Sequence, residues 1–416
     1  MRMHCSRLRP HIGLLTAALL SIGTTAGPPA TAITLKEAYR DHFLVGVAIN
    51  RTIATGTAVQ ADNVNRTLEQ VMQDIALVKT QFNQIVDEND LKWALIHPRA
   101  GADGYDFGPA DAFVEFGMKN DMYIVGHTLV WHGQTPNWVF QAAGSQTQPP
   151  AATNPAASNA PAGGRPGRGV TGPLASREEL LERMRDHIHT VVGRYKGKVK
   201  VWDVVNEALA DGGPEVTDTL RNSLWRQIIG PDFIARAFQY AHEADPDAIL
   251  RYNDYSLENP AKRVRLKALI KSLREQNVPV HAIGTQTHIN VSTTYETMDE
   301  TLRDLATIGL PVHITELDVN TAVRGQANTS ADVSGSGQRT EGGVVSEADR
   351  RQADAYAGLF RAIMKHKDAV KVVTFWGAND AVSWLGRGRP LLFDGNNQPK
   401  PAFDAVIRVA TEARSN

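Results

Sequence analysis

Two carboxylates sit where a hydrolysis could be run by proton transfer and nucleophilic attack. Glu207 closes the run Val199–Glu207 (VKVWDVVNE), and Glu316 lies in Pro311–Val319 (PVHITELDV). Cleavage of a glycosidic bond needs one carboxyl to protonate the leaving oxygen and a second carboxylate at the anomeric carbon. His288 and Asp318 are candidate hydrogen-bonding partners that would keep Glu316 ionised and aimed. Glu207 follows Trp202-Asp203 and a run of valines, and an apolar wall there would favour the protonated acid. A retaining reaction would require the two carboxyl groups to stand about 5–5.5 Å apart.

Other polar groups collect at the ends of similar apolar runs. They are Glu88, Asn89 and Lys92; His127, Trp131, His132 and Gln134; Asn206; Asn253 and Asp254; Gln286 and His288; and Trp376, Asp380 and Trp384. A buried polar group costs free energy unless it is paired, so repetition of this pattern is hard to explain by packing. Trp131, Trp376 and Trp384 stand beside polar groups, as a cleft that stacks sugar rings requires, whereas Trp138 and Trp225 read as packing. A zinc site on His127 and His288 with a third, carboxylate ligand is an alternative, although no HExxH or cysteine pair is present. No GxSxG elbow, GxGxxG or P-loop follows a strand, which argues against serine catalysis and nucleotide cofactors.

These residues need a scaffold that brings strand ends together. Eight short β-rich runs are visible: 43–50, 82–89, 122–131, 199–207, 249–255, 281–289, 311–319 and 370–377. Helical periodicity lies between them, over 66–79, 177–195, 232–244, 260–276, 298–308 and 347–366, with Ser176 and Glu179 forming a capping box. Strand and helix in alternation predict a (β/α)8 barrel, with a doubly wound open sheet as the rival. In a barrel the strands should be apolar along their length, with functional groups at their C-terminal ends. Gln141–Ala175 and Thr321–Gly343 are poor in large apolar side chains and read as long surface excursions at that face.

The remaining composition is permissive. The chain has 416 residues, 42% hydrophobic and 21% charged, with a net charge of -1. That balance offers no field for nucleic acid or an anionic membrane surface and suits an uncharged substrate. Arg2, Arg7 and Arg9 precede an apolar stretch from Ile12 to Ile22 and then Ala30-Thr31-Ala32, the order of a secretory signal peptide over 1–32. Its removal would leave a single domain over 33–416 without a thiol, because Cys5 is the sole cysteine. The expected product is an exported monomer with no membrane segment.

Taken in order, the motifs resemble glycoside hydrolase family 10, the endo-β-1,4-xylanases. They are Glu88-Asn89-Asp90-Leu91-Lys92-Trp93, Gly126-His127-Thr128-Leu129-Val130-Trp131-His132, Trp202–Glu207 (WDVVNE), Gly284–His288 (GTQTH), Thr315-Glu316-Leu317-Asp318 and Phe375-Trp376-Gly377. The resemblance implies a cofactor-free retaining enzyme acting on xylan and xylo-oligosaccharides, with Glu207 as acid/base and Glu316 as nucleophile. It further implies that Asn206 contacts a sugar 2-hydroxyl and that His288 and Asp318 orient Glu316. Glu88, Asn89, Lys92, His127, Trp131 and Gln134 would line the glycone side, Gln286 would lie near the catalytic pair, and Trp376 and Trp384 would wall the bound xylose. Asp90-Leu91, Thr285 and Thr287 depart from the commoner family residues, and the two long excursions leave the number of subsites open. A related β-1,4-glucanase and a non-catalytic glycan binder are the alternative readings.

Overall fold

The computed structural model describes residues 33–58, 60–61, 64–145, 170–322 and 346–415. The proposed signal segment, 1–32, and most of both long excursions lie outside the described residues.

The eight apolar runs form strands β1 (Leu44–Ile49), β2 (Gln84–Asp87), β3 (Tyr123–Trp131), β4 (Val201–Asn206), β5 (Ile249–Asp254), β6 (Ala282–Thr285), β7 (Val312–Asn320) and β8 (Val370–Phe375). Each pairs in parallel with the next, and β8 returns to β1 with Leu44 opposite Val372. The ring is therefore closed, and the open-sheet alternative is excluded. Helices α1 (Leu68–Gln81), α2 (Gly108–Lys119), α3 (Arg177–Arg194), α4 (Phe233–Ala244), α5 (Pro260–Glu275), α6 (Tyr295–Ala306), α7 (Glu347–Lys365) and α8 (Pro401–Ser415) follow the strands one for one. They bury the outer face of the sheet, so strand residues are covered on both sides and the runs read as continuous apolar segments.

Local chemistry sets the helix ends. Thr67 and Gln70 form a capping box at α1, so the helix begins after Arg66 rather than at it. Ser176 and Glu179 form the expected box at α3. Thr294 caps α6 a turn earlier than its apolar stripe suggested. Two helices, α2 and α8, lie outside the six helical segments expected from the sequence. In α2 part of the buried face is Gly117, where a Cβ would lie 2.5 Å from Ile124 Cγ1, so close approach of helix and strand replaces an apolar side chain.

The expectation of an apolar barrel lumen needs correction. Asp203 on β4, Arg251 on β5 and His313 on β7 are all buried inside the ring. Arg251 Nε and Nη2 donate to the two Asp203 oxygens at 2.6 and 2.9 Å, and Arg251 Nη1 lies 3.1 Å from His313 Nδ1. Trp202, next to Asp203 on the strand, packs against Gly126, where any Cβ would fall 2.2 Å from the indole. The polar groups are tolerated because they are paired with one another.

The run 281–289 is not one strand. Thr287 adopts φ 62°, and a second short strand, His288–Asn290, pairs alongside the end of β7 with His288 opposite Asp318. The break frees Gln286 to face the mouth of the barrel. Register irregularities also occur between His127 and Val130 and between Ile314 and Leu317, where strands approach the same mouth.

The stem of the first excursion is ordered at both ends. Gln141 is fully buried and bridges to Leu174, and Arg183 Nη1 donates to the carbonyls of Trp138, Val139 and Gln141 at 3.2, 2.8 and 2.7 Å. The excursion thus closes on α3 before it leaves the described residues.

Candidate active site

Glu207 is the first residue after β4, and Glu316 lies within β7; each is only 5% exposed. The Glu207 carboxylate does not face the apolar wall expected from its neighbours. Trp131 Nε1 donates to its Oε2 at 2.9 Å, and Gln286 Nε2 and Asn206 Nδ2 donate to its Oε1 at 2.9 and 3.2 Å. Polar groups from three strand ends supply its surroundings instead.

Glu316 is held differently. Asn253 Nδ2 donates to its Oε1 at 2.8 Å, and His288 Nε2 lies 3.2 Å from its Oε2. His288 Nδ1 is 2.9 Å from Asp318 Oδ2. Burial alone would lower the basicity of His288, but Asp318 and Glu316 outweigh it and push the imidazole up to about 10. Burial likewise pushes the Glu316 carboxyl up, yet the His288 hydrogen bond and the charges of His127, His288 and Lys92 hold it below its ordinary value. Glu316 is therefore an ionised carboxylate with a cationic partner in the neutral pH range.

One amide joins the two acids. Asn206 Oδ1 accepts from Asn253 Nδ2 at 2.9 Å and from Gln286 Nε2 at 3.3 Å. Gln286 continues to Glu207 and Asn253 to Glu316, so the orientation of either carboxylate constrains the other. Along the sequence Asn253 is only one more polar residue at a strand end. Its central place arises because β5 lies between the strands that carry Asn206 and Gln286, and spacing along the chain does not show that.

A second group gathers beside this pair. Lys92 Nζ donates to Asn89 Oδ1 at 3.2 Å and lies 5.2 and 5.9 Å from the ring centres of Trp131 and Trp376. Burial lowers the Lys92 ammonium from its usual value, opposed by Glu316, Glu88, Asp87 and Glu207. Burial pushes the Glu88 carboxyl up to about 7. Gln134 Nε2 reaches the same Asn89 oxygen at 3.4 Å. His127 Nδ1 is 2.9 Å from Asp203 Oδ2 and stands edge-on to Trp376, with ring centres 5.3 Å apart. Trp384 meets His288 edge-on at 5.0 Å and donates Nε1 to Asp318 Oδ2 at 2.8 Å. Every side chain singled out in the sequence for the site is thus drawn to one end of the ring.

Several neighbours belong to the scaffold. Asp380 turns to Lys400 Nζ at 2.9 Å and to the Leu391 amide. Asp254 pairs with Lys262 at 2.9 Å. Trp225 donates to the Trp131 carbonyl at 2.9 Å, and Trp93 stacks on His187 at 3.7 Å. The zinc reading does not fit this arrangement: both ring nitrogens of His288 face carboxylates, and His127 Nδ1 faces Asp203. Among the described residues no group of three His, Cys, Asp or Glu side chains is placed to hold a metal ion.

Glycosyl hydrolase family 10 matches residues 35–409. The chain belongs to that family. A β-1,4-xylanase of Dictyoglomus thermophilum is 38% identical over 384 residues, covering 90% of each protein. An endo-1,4-β-xylanase of Geobacillus stearothermophilus is 37% identical over 385 residues, 90% of this chain and 98% of the other. The solved structure of an intracellular xylanase from Thermoanaerobacterium saccharolyticum is similar with a TM-score of 0.69 at 34% identity, covering 91% of this chain and 99% of that one. As a member of family 10 the protein is a glycoside hydrolase. Its departures from the commoner motif residues are accommodated locally. Asp90 accepts from Arg51 Nε at 3.1 Å, and the hydroxyls of Thr285 and Thr287 lie 3.3 Å apart.

Proposed function

We propose that this glycoside hydrolase is an endo-β-1,4-xylanase that cleaves xylan and xylo-oligosaccharides with retention. The observation that carries the assignment of roles is the unequal support of the two acids. Glu316 has a cationic partner, His288, whereas the side chains that touch the Glu207 carboxylate are neutral amide and indole donors. The paired, ionised Glu316 suits attack on the anomeric carbon, and Glu207 suits exchange of a proton with an oxygen.

In the first step Glu316 forms a bond to the anomeric carbon while the bond to the leaving oxygen breaks and that oxygen takes the proton of Glu207. In the second, Glu207 removes a proton from water as the water oxygen attacks the same carbon and displaces Glu316. Asn206 faces the 2-hydroxyl side of the sugar. Glu88, Asn89, Lys92, His127 and Gln134 contact the glycone, with Trp376 and Trp384 as its apolar walls. Trp131 supports Glu207 as well as the sugar.

Reducing-sugar release from xylan and carboxymethyl-cellulose, measured side by side with wild type and Glu316→Gln, tests the substrate and the nucleophile. Release selective for xylan and lost in the variant supports the proposal, while equal release from cellulose transfers the activity to β-1,4-glucan. The anomer formed first, read by NMR, tests retention. Export rests on residues 1–32 alone, since a family 10 relative is described as intracellular. The N-terminal sequence of protein recovered outside the cytoplasm checks it.

A further inference from the structure

Glu207 has φ 58°, in the left-handed region that residues with a Cβ avoid. Such a conformation is unfavourable for a residue with a Cβ and persists only where its surroundings determine it. Its two main-chain groups are both held. Its N–H donates to the Asn253 carbonyl at 2.9 Å, and its carbonyl accepts from Arg221 Nε at 3.1 Å.

Arg221 is itself fixed from several sides. Its main-chain N–H donates to the Ala208 carbonyl at 2.8 Å, and Leu209 bridges to Leu220, so the chain leaves Glu207 and returns as a narrow antiparallel loop. Arg221 Nη2 donates to Tyr255 Oη at 2.6 Å and to Asp211 Oδ2 at 2.8 Å. Asp211 in turn accepts from Lys262 Nζ at 3.0 Å. On the other side of the loop the Ala208 and Leu209 amides donate to Tyr252 Oη at 3.0 and 3.1 Å. Arg221 has no hydrogen bond to the Glu207 carboxylate; it holds the main chain that aims it.

We propose that Arg221 is a positioning residue for Glu207, fixing the left-handed backbone from which the acid/base carboxylate reaches the leaving oxygen. This rests on the assignment of Glu207 as acid/base. Because the contact is to the carbonyl, loss of Arg221 should impair proton donation selectively, leaving attack by Glu316 and glycone binding in place.

The test is kcat/KM of Arg221→Met on aryl β-xylobiosides whose leaving groups span a wide range of acidity, with Glu207→Ala alongside. For poor leaving groups the variant should lose about 10- to 100-fold, the scale of a misplaced catalytic group. With 2,4-dinitrophenol as leaving group, which needs no protonation, it should stay within about 3-fold of wild type. Equal loss on all leaving groups, or loss on none, overturns the proposal. If Glu207→Ala itself shows no dependence on the leaving group, the acid/base assignment has failed instead, and the proposal falls with it. Thermal unfolding is followed in parallel. Should Arg221→Met not fold, Arg221→Gln is read by the same criterion.

Discussion

Trp384 donates its indole N–H to Asp318 Oδ2 at 2.8 Å, the same oxygen that lies 2.9 Å from His288 Nδ1. The aromatic wall of the cleft and the cation behind Glu316 are therefore anchored to one carboxylate. A change in any of the three is felt by the other two, and the consequences for substrate binding and for ionisation can be separated experimentally.

Asp318→Asn should bring the His288 titration down. In the wild type, Asp318 and Glu316 together raise the imidazole to about 10, Asp318 first. Without the Asp318 charge the imidazole loses its proton more readily, and its titration, followed by NMR, should fall by roughly one unit or more. His288 still holds its proton where Glu316 titrates, below the ordinary carboxylate value, so the acidic limb of kcat/KM should not rise. An unmoved imidazole titration would remove Asp318 from the ionisation network.

Trp384→Phe retains a ring but deletes the donor. One hydrogen bond, worth about 0.5–1.5 kcal/mol, is lost, which corresponds to roughly 2- to 12-fold in kcat/KM for xylo-oligosaccharides. Asp318 remains free to hold His288, so the imidazole titration should not fall. A drop as large as that of Asp318→Asn would contradict this division of labour.

Arg251→Met should destabilise the barrel from within. Arg251 donates twice to Asp203, and both are buried, so the variant leaves the Asp203 charge short of its main partner. Breaking a buried pair from one side costs about 3–5 kcal/mol. Equilibrium unfolding in denaturant measures it, and a loss below about 1 kcal/mol, the scale of an exposed pair, would rule out this account of the lumen.

Acid lability should come in part from His97 and His187, whose Nδ1 atoms are 3.4 Å apart in an aromatic stack beneath Trp93. Burial pushes His97 down to about 4, and burial followed by His97 pushes His187 well below its usual value. A base depressed in the folded state binds protons more readily when unfolded. Its contribution is complete above about pH 6.5 and is lost as pH falls from there toward the folded value. For His97 that is on the order of 3 kcal/mol. His187→Phe, which keeps the stack and cannot be protonated, should flatten the fall of the unfolding midpoint between pH 6.5 and 4. An unchanged slope would place acid sensitivity elsewhere.

The sequence by itself determined the eight barrel strands, six of the eight helices that follow them and the identity of the candidate acids, because each depends on local information. Apolar runs of strand length, capping residues and polar groups at strand ends are all visible along the chain. In α2 a close-packed Gly117 stands in for an apolar side chain, while α8 does carry an apolar stripe, Phe403, Val406 and Val409, behind a Pro401 suited to a first helical turn. Tertiary structure alone decided what each acid touches. Of the Glu207 neighbours in sequence only Asn206 reaches its carboxylate, while Trp131 and Gln286 come from two other strands. The polar lumen around Asp203 and Arg251 was hidden for the same reason: pairing satisfies a buried charge, and pairing across a closed ring joins residues far apart in the chain. Asn253 and Arg221 carry no motif. Their places beside Glu316 and behind Glu207 follow from strand order and loop closure, which only the folded barrel sets.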